Sequence, residues 1–276
     1  MMSKAPGVHE VLQDVVIFLH LPKSAGSTLV HILERQYGQD KVLKHYDSFY
    51  GEGVAELPED RKENLRALVG HFYFGAHQSM SKPATYITIL RDPVKRIISH
   101  YHYVRREPSH YLYPVAQKLT LSEYVIHCGN AEPNNDQVRL LSGREHALDD
   151  GTWSEAMLPT AKKNLRESFS VAGLVEEFDR SLILMKRILG WSIPFYVKQN
   201  VSRFNKEEGR VDPETIRVIR AYNELDADLY AYARHLLAEQ VRCHGESLER
   251  ELRLFRTLNA LYGRLNAITA KAAGGP

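Results

Sequence analysis

An apolar run rich in β-branched residues, Val15–Leu21 (VVIFLHL), is broken at Pro22-Lys23-Ser24-Ala25-Gly26 and passes at Ser27–Tyr37 (STLVHILERQY) into helical spacing. The short run reads as a strand buried on both faces of a parallel sheet. Leu29, Ile32, Leu33 and Tyr37 mark one face of the following helix, and Gly38 is its stop. A helix that starts directly after a strand leaves its first backbone N–H groups without intrahelical partners. The helix dipole adds partial positive charge at the same point. The junction is therefore a ready site for a phosphate-like anion.

The loop chemistry agrees with that reading. Ala25 and Gly26 let backbone approach an anion, Lys23 brings a full charge, and Ser27 and Thr28 bring hydroxyl donors. It is not the ATPase loop, which needs GxxxxGK[ST] with its lysine next to the hydroxyl residue. Here the lysine comes first. A tight strand–helix turn carrying a surface lysine accounts for the same pattern without a ligand.

A second unit follows the same plan. Thr85–Leu90 (TYITIL) reads as a strand, Asp92 as a helix N-cap and Pro93 as the first helical residue, with the helix running over Val94–Arg106. Arg91 ends the strand, and Ser99 lies two turns into the helix on the face shared by positions 96 and 103. Both can reach one anion at the C-terminal edge of a sheet, where ligands of open α/β sheets bind. A salt bridge for Arg91 and a backbone bond within the helix for Ser99 are the alternatives. Ser170–Leu174 is a third strand, with a helix over Glu176–Leu189 ended by Gly190. Alternating strands and helices predict an α/β fold: a mainly parallel central sheet flanked by helices in three layers, with further helices at the C-terminus. Asp47–Leu68 and Pro108–Pro159 read as insertions. Helices are expected over Pro213–Glu239 and Ser247–Ala272. Boundaries follow at residues 1–14 for a tail, 15–243 for the domain and 244–276 for a C-terminal amphipathic helix. The stripe Leu248, Leu252, Phe255, Leu258, Tyr262, Leu265 suits packing on its own domain, or a homodimer arm.

IFLHLPKSAGSTL and ITILRDPVKRIISHY together resemble the two nucleotide-binding motifs of sulfotransferases that use 3′-phosphoadenosine 5′-phosphosulfate (PAPS). The likeness is to the branch of the heparan sulfate 2-O-sulfotransferases and their bacterial relatives. VGHFYFGAH (Val69–His77), DQVRLLSG (Asp136–Gly143) and VAGLVEEFDRSLILMKRILGW (Val171–Trp191) resemble the same branch, so the likeness runs over about residues 15–205. It implies that Lys23, Ser24, Ala25, Gly26, Ser27 and Thr28 hold the 5′-phosphosulfate, and that Arg91 and Ser99 hold the 3′-phosphate. It implies a P-loop-like α/β fold, His71 as the catalytic base, Lys23 as the cation beside the leaving phosphate, a late nucleotide contact at Arg203, and no metal. His77 is the rival base, and His20 reads as support for the loop. The acceptor implied is a carbohydrate hydroxyl.

The chain has 276 residues and a formal net charge of +2, too little for a nucleic-acid coat. Its two cysteines form no CxxC pair, and residues 1–14 lack a signal-peptide core. A cytoplasmic protein without a membrane span is the expectation. A nucleotide-dependent phosphotransferase and a non-catalytic nucleotide-binding protein are the competing functions.

Overall fold

A computed structural model describes residues 14–46, 58–128, 131–143, 154–197 and 211–273. Five parallel strands form one sheet in the order β2-β3-β1-β4-β5. They are β1 (Val15–Leu19), β2 (Val42–His45), β3 (Ala67–Gly70), β4 (Ala84–Leu90) and β5 (Phe169–Leu174). All five residues of β1 are buried, as its unbroken apolar run requires. It lies between β3 and β4 in register Val16↔Ala67 and Val16↔Thr85. The chain crosses from one side of β1 to the other between β3 and β4. The crevice beyond the C-terminal end of β1 is thus the place where such a sheet binds ligands.

The expected strands are found within two residues of their predicted ends. The first stops at Leu19, because His20 turns out of the ladder while its N–H still donates to the Gly70 carbonyl at 2.9 Å. Two strands carried no sequence signal. β2 is a four-residue edge strand, and β3 (ALVG) is too short and too poor in β-branched residues to show a pattern. Part of Asp47–Leu68 is therefore sheet, together with the helix α2 (Glu59–Asn64), rather than insertion.

Helix α1 (Gly26–Tyr37) follows β1, and α3 (Pro93–Val104) follows β4. Asp92 caps α3: its Oδ1 accepts the Lys95 N–H at 3.0 Å, and Pro93 opens the helix. Among the described residues, the stretch read as the insertion Pro108–Pro159 is mostly helical. It holds α4 (Tyr113–Lys118), α5 (Leu121–His127) and α6 (Asp136–Ser142), and α7 (Met157–Glu167) begins inside it. α8 is Phe178–Leu189. The helix expected over Pro213–Glu239 is two. α9 ends at Ala221, and α10 runs from Glu224 to Ala273 with its break at Gly245, whose φ of 61° a side chain would strain. Leu248, Leu252 and Phe255 belong to the same core as the sheet, whereas Leu261, Leu265 and Ile268 are exposed.

Among the described residues, no helix is long and apolar enough to cross a membrane. The cytoplasmic expectation rests on residues 1–14, of which 1–13 lie outside the described residues, as do Arg203 and the neighbouring Asn200–Ser202.

Candidate functional site

The loop between β1 and α1 has an unusual backbone. Lys23 and Ala25 both have positive φ, 64° and 60°. Each left-handed non-glycine residue costs about 1–2 kcal/mol, and strain of that kind gathers where backbone is shaped for a ligand. Ala25 is the N-cap of α1, and no side chain caps the helix there. Ser24 is 1% exposed, and its Oγ has no hydrogen-bond partner among the described residues. A buried hydroxyl beside an uncapped helix start is a donor set suited to an anion.

Gly26 is required by its neighbour. A Cβ at this position would lie 1.6 Å from His20 Nε2. His20 is buried, and burial first, then the charges of His71 and Lys23, push its imidazole well below its ordinary pKa. It is a neutral ring packed under the loop, the supporting role its position in sequence suggests. Its Nδ1 meets the Tyr46 hydroxyl at 3.1 Å.

Lys23 points across the loop, with Nζ 3.9 Å from the centre of the Tyr103 ring. Its pKa is lowered to about 8, by burial first and then by the like charges of Arg106 and Arg91. Three cations gathered around one loop favour the arrival of an anion. The Arg91 guanidinium donates to the Lys23 carbonyl at 3.1 Å, which brings the end of β4 against the first loop. Ser99 is half-buried on α3, one turn before Tyr103. Lys23, Arg91 and the Ser99 face of α3 therefore meet in one place.

His71 follows β3. Its ring lies 4.3 Å from that of His20 and 4.9 Å from that of Tyr46. Its Nδ1 is 2.6 Å from the His20 carbonyl oxygen. A carbonyl only accepts, so Nδ1 carries the proton and Nε2 keeps the lone pair. Burial holds this imidazole below its ordinary pKa, opposed by the bond to His20. His71 is thus a neutral base with one defined tautomer. His77 is occupied elsewhere: its Nδ1 and its backbone N–H both lie 3.0 Å from the Tyr86 hydroxyl.

The sequence did not show His100, His110 and Glu132 as a group. Their ligand atoms lie within 4.8 Å of one another, close enough to suggest a metal. Hydrogen bonding argues otherwise. The Leu112 N–H donates to His110 Nδ1 at 3.2 Å, so a neutral His110 carries its proton on the Nε2 that faces Glu132. His100 Nε2 lies 2.7 Å from the Glu132 carboxylate, and its Nδ1 lies 3.3 Å from the Tyr124 hydroxyl. On His110 that proton faces Glu132, where a cation ligand would need a lone pair.

Comparison with known proteins gives the family. The family model for galactose-3-O-sulfotransferases matches residues 3–269. The chain belongs to that family. Galactosylceramide sulfotransferase of Mus musculus is 26% identical over 88% of this chain and 62% of its own length. Heparan-sulfate 6-O-sulfotransferase 1 of Homo sapiens is 27% identical over 87% of this chain and 69% of its own length. The chain thus spans about two thirds of these relatives. A solved sulfotransferase from Alicyclobacillus acidocaldarius superposes with a TM-score of 0.43 at 18% identity, over 80% of this chain and 95% of that one. The branch expected from the motifs needs correction: the relatives are galactose-3-O, galactosylceramide and heparan-sulfate 6-O enzymes, not the 2-O branch.

Proposed function

We propose that this chain transfers a sulfuryl group from PAPS to an acceptor hydroxyl on a carbohydrate or glycolipid. The observation that carries the reading is the contact of Arg91 with Lys23, which joins two anion-binding strand ends into one site. A nucleotide with phosphate groups on both sides of its ribose suits a site of that shape. The names of the relatives, a glycolipid and a heparan sulfate enzyme, support the acceptor class.

The donor supplies an activated sulfuryl group on a phosphate leaving group. Ser24 Oγ and the backbone N–H groups of Ala25, Gly26, Ser27 and Thr28 orient its 5′ side. Arg91 and Ser99 take the 3′-phosphate. Arg203, outside the described residues, is carried as a further nucleotide contact. Lys23 places a poorly solvated positive charge where the leaving oxygen gains negative charge, so its stabilisation grows toward the transition state. His71 Nε2 takes the acceptor proton, and the His20 carbonyl holds the ring in the tautomer that can do so.

Thermal shift tests the donor. Adenosine 3′,5′-bisphosphate should stabilise the chain more than ATP with magnesium, and sulfate transfer should follow on a panel of oligosaccharides and glycolipids. Preference for ATP with magnesium would replace this reading with a phosphotransferase. Tight bisphosphate binding without transfer to any acceptor would favour a non-catalytic binding protein.

A further inference from the structure

Gln137, in the first turn of α6, is fully buried, and both ends of its side-chain amide meet the backbone of Arg91. Its Oε1 accepts the Arg91 N–H at 3.0 Å, and its Nε2 donates to the Arg91 carbonyl at 3.0 Å. The amide thus pairs with Arg91 much as a neighbouring strand would, at the point where β4 ends. Asp226 of α10 sets the amide's orientation. Its Oδ2 lies 3.3 Å from Gln137 Nε2 and 3.3 Å from the Gln137 N–H, and its Oδ1 accepts the Val138 N–H at 2.8 Å. With a carboxylate on one side and a backbone N–H on the other, only one of the two amide flips satisfies every partner.

The same carboxylate reaches α3. Arg96, which is 0% exposed, lies 3.6 Å from Asp226 and 3.4 Å from Asp136. Arg96 precedes Ser99 by three residues on that helix. One buried polar unit therefore holds both the backbone of Arg91 and the helix that carries Ser99.

We propose that Gln137 is a positioning residue for donor selection: by clasping both backbone groups of Arg91 it aims that guanidinium at the 3′-phosphate of the nucleotide. The proposal rests on the PAPS reading above. It assigns DQVRLLSG a task at the nucleotide site although Gln137 contacts Arg91 rather than the ligand. Discrimination between nucleotides with and without a 3′-phosphate then depends on an amide behind the site.

The experiment measures dissociation constants of adenosine 3′,5′-bisphosphate and adenosine 5′-monophosphate for the full chain and for Gln137→Met, which keeps the length and removes the amide. The monophosphate-to-bisphosphate ratio of dissociation constants should fall by about tenfold, the scale of coupling between contacting residues, with the monophosphate constant unchanged. Arg91→Ala added to Gln137→Met should cost little further discrimination. An unchanged ratio in a variant that melts cooperatively would overturn the proposal, and so would equal weakening of both nucleotides. If Gln137→Met does not fold, Gln137→Asn is measured, which withdraws the amide by one methylene. Failure of both to fold makes the cluster a structural core alone and overturns the proposal. A parent chain that binds both nucleotides equally instead refutes the 3′-phosphate assignment, a result separate from any effect of the variants.

Discussion

At the scale of single residues, the site depends on protonation states that burial and one carbonyl decide. As the proposed base His71 must be neutral, and burial holds its pKa below 6.5. In the proposed phosphate-binding role Lys23 must be charged, and its pKa is lowered to about 8. kcat/KM, which reports the free enzyme, should therefore fall on the acid side below pH 6.5 and on the alkaline side near pH 8. Lys23→Arg should move the alkaline limb upward, because arginine stays charged there. An alkaline limb that stays in place would remove Lys23 from the profile. His71→Ala should lower turnover by roughly a hundred- to ten-thousand-fold and leave bisphosphate binding nearly intact, as read by single-turnover assay and calorimetry. Arg91→Ala should raise the bisphosphate dissociation constant by roughly ten- to a hundredfold, the value of a hydrogen bond to a charged group. His71 was legible in sequence only through its motif, because thirteen histidines make any one of them weak evidence. Its advantage over His77 came from the partners: a backbone acceptor for one ring, the Tyr86 hydroxyl for the other.

At the scale of elements, the two strand–loop–helix units were legible because their signals are local. A β-branched run, a turn and an amphipathic helix all lie within about 25 residues for each unit. Gly26 shows where local reading stops. Its sequence role is to admit an anion, but its structural role is also to clear the His20 ring. Gly26→Ala should lower Tm and weaken bisphosphate binding together; a loss of binding with Tm unchanged would leave only the anion role. The stripe on α10 divides in the same way. Its first half enters the core, so Leu252→Ala should cost about 2–5 kcal/mol in denaturant unfolding. Leu265 is 62% exposed, so Leu265→Ala should stay within about 0.5 kcal/mol. A fall in sedimenting mass for Leu265→Ala would instead identify the exposed half as a dimer surface.

At the scale of the whole molecule, buried ionisable groups tie stability to pH. His20, His71 and His100 all have folded pKa values pushed below 6.5 by burial. Between those values and 6.5 the unfolded chain holds more protons than the folded one. Stability therefore rises with pH through that window and declines as the pH drops below 6.5, measurable as Tm against pH. Replacing His20 or His100 by a neutral isostere should flatten that slope.

The sequence by itself determined the parallel α/β class and the two strand–loop–helix units that carry Lys23 and Arg91, because strand runs, helix caps and loop charges are written within short stretches. Only the tertiary structure decided that β2 and β3 complete the sheet, that the guanidinium of Arg91 meets the carbonyl of Lys23, and that Gln137, Asp226 and Arg96 form one unit behind them. Those contacts join residues 46 to 130 positions apart. No local propensity encodes such a pairing. It appears once burial removes water and leaves each polar group to find its partner inside the fold.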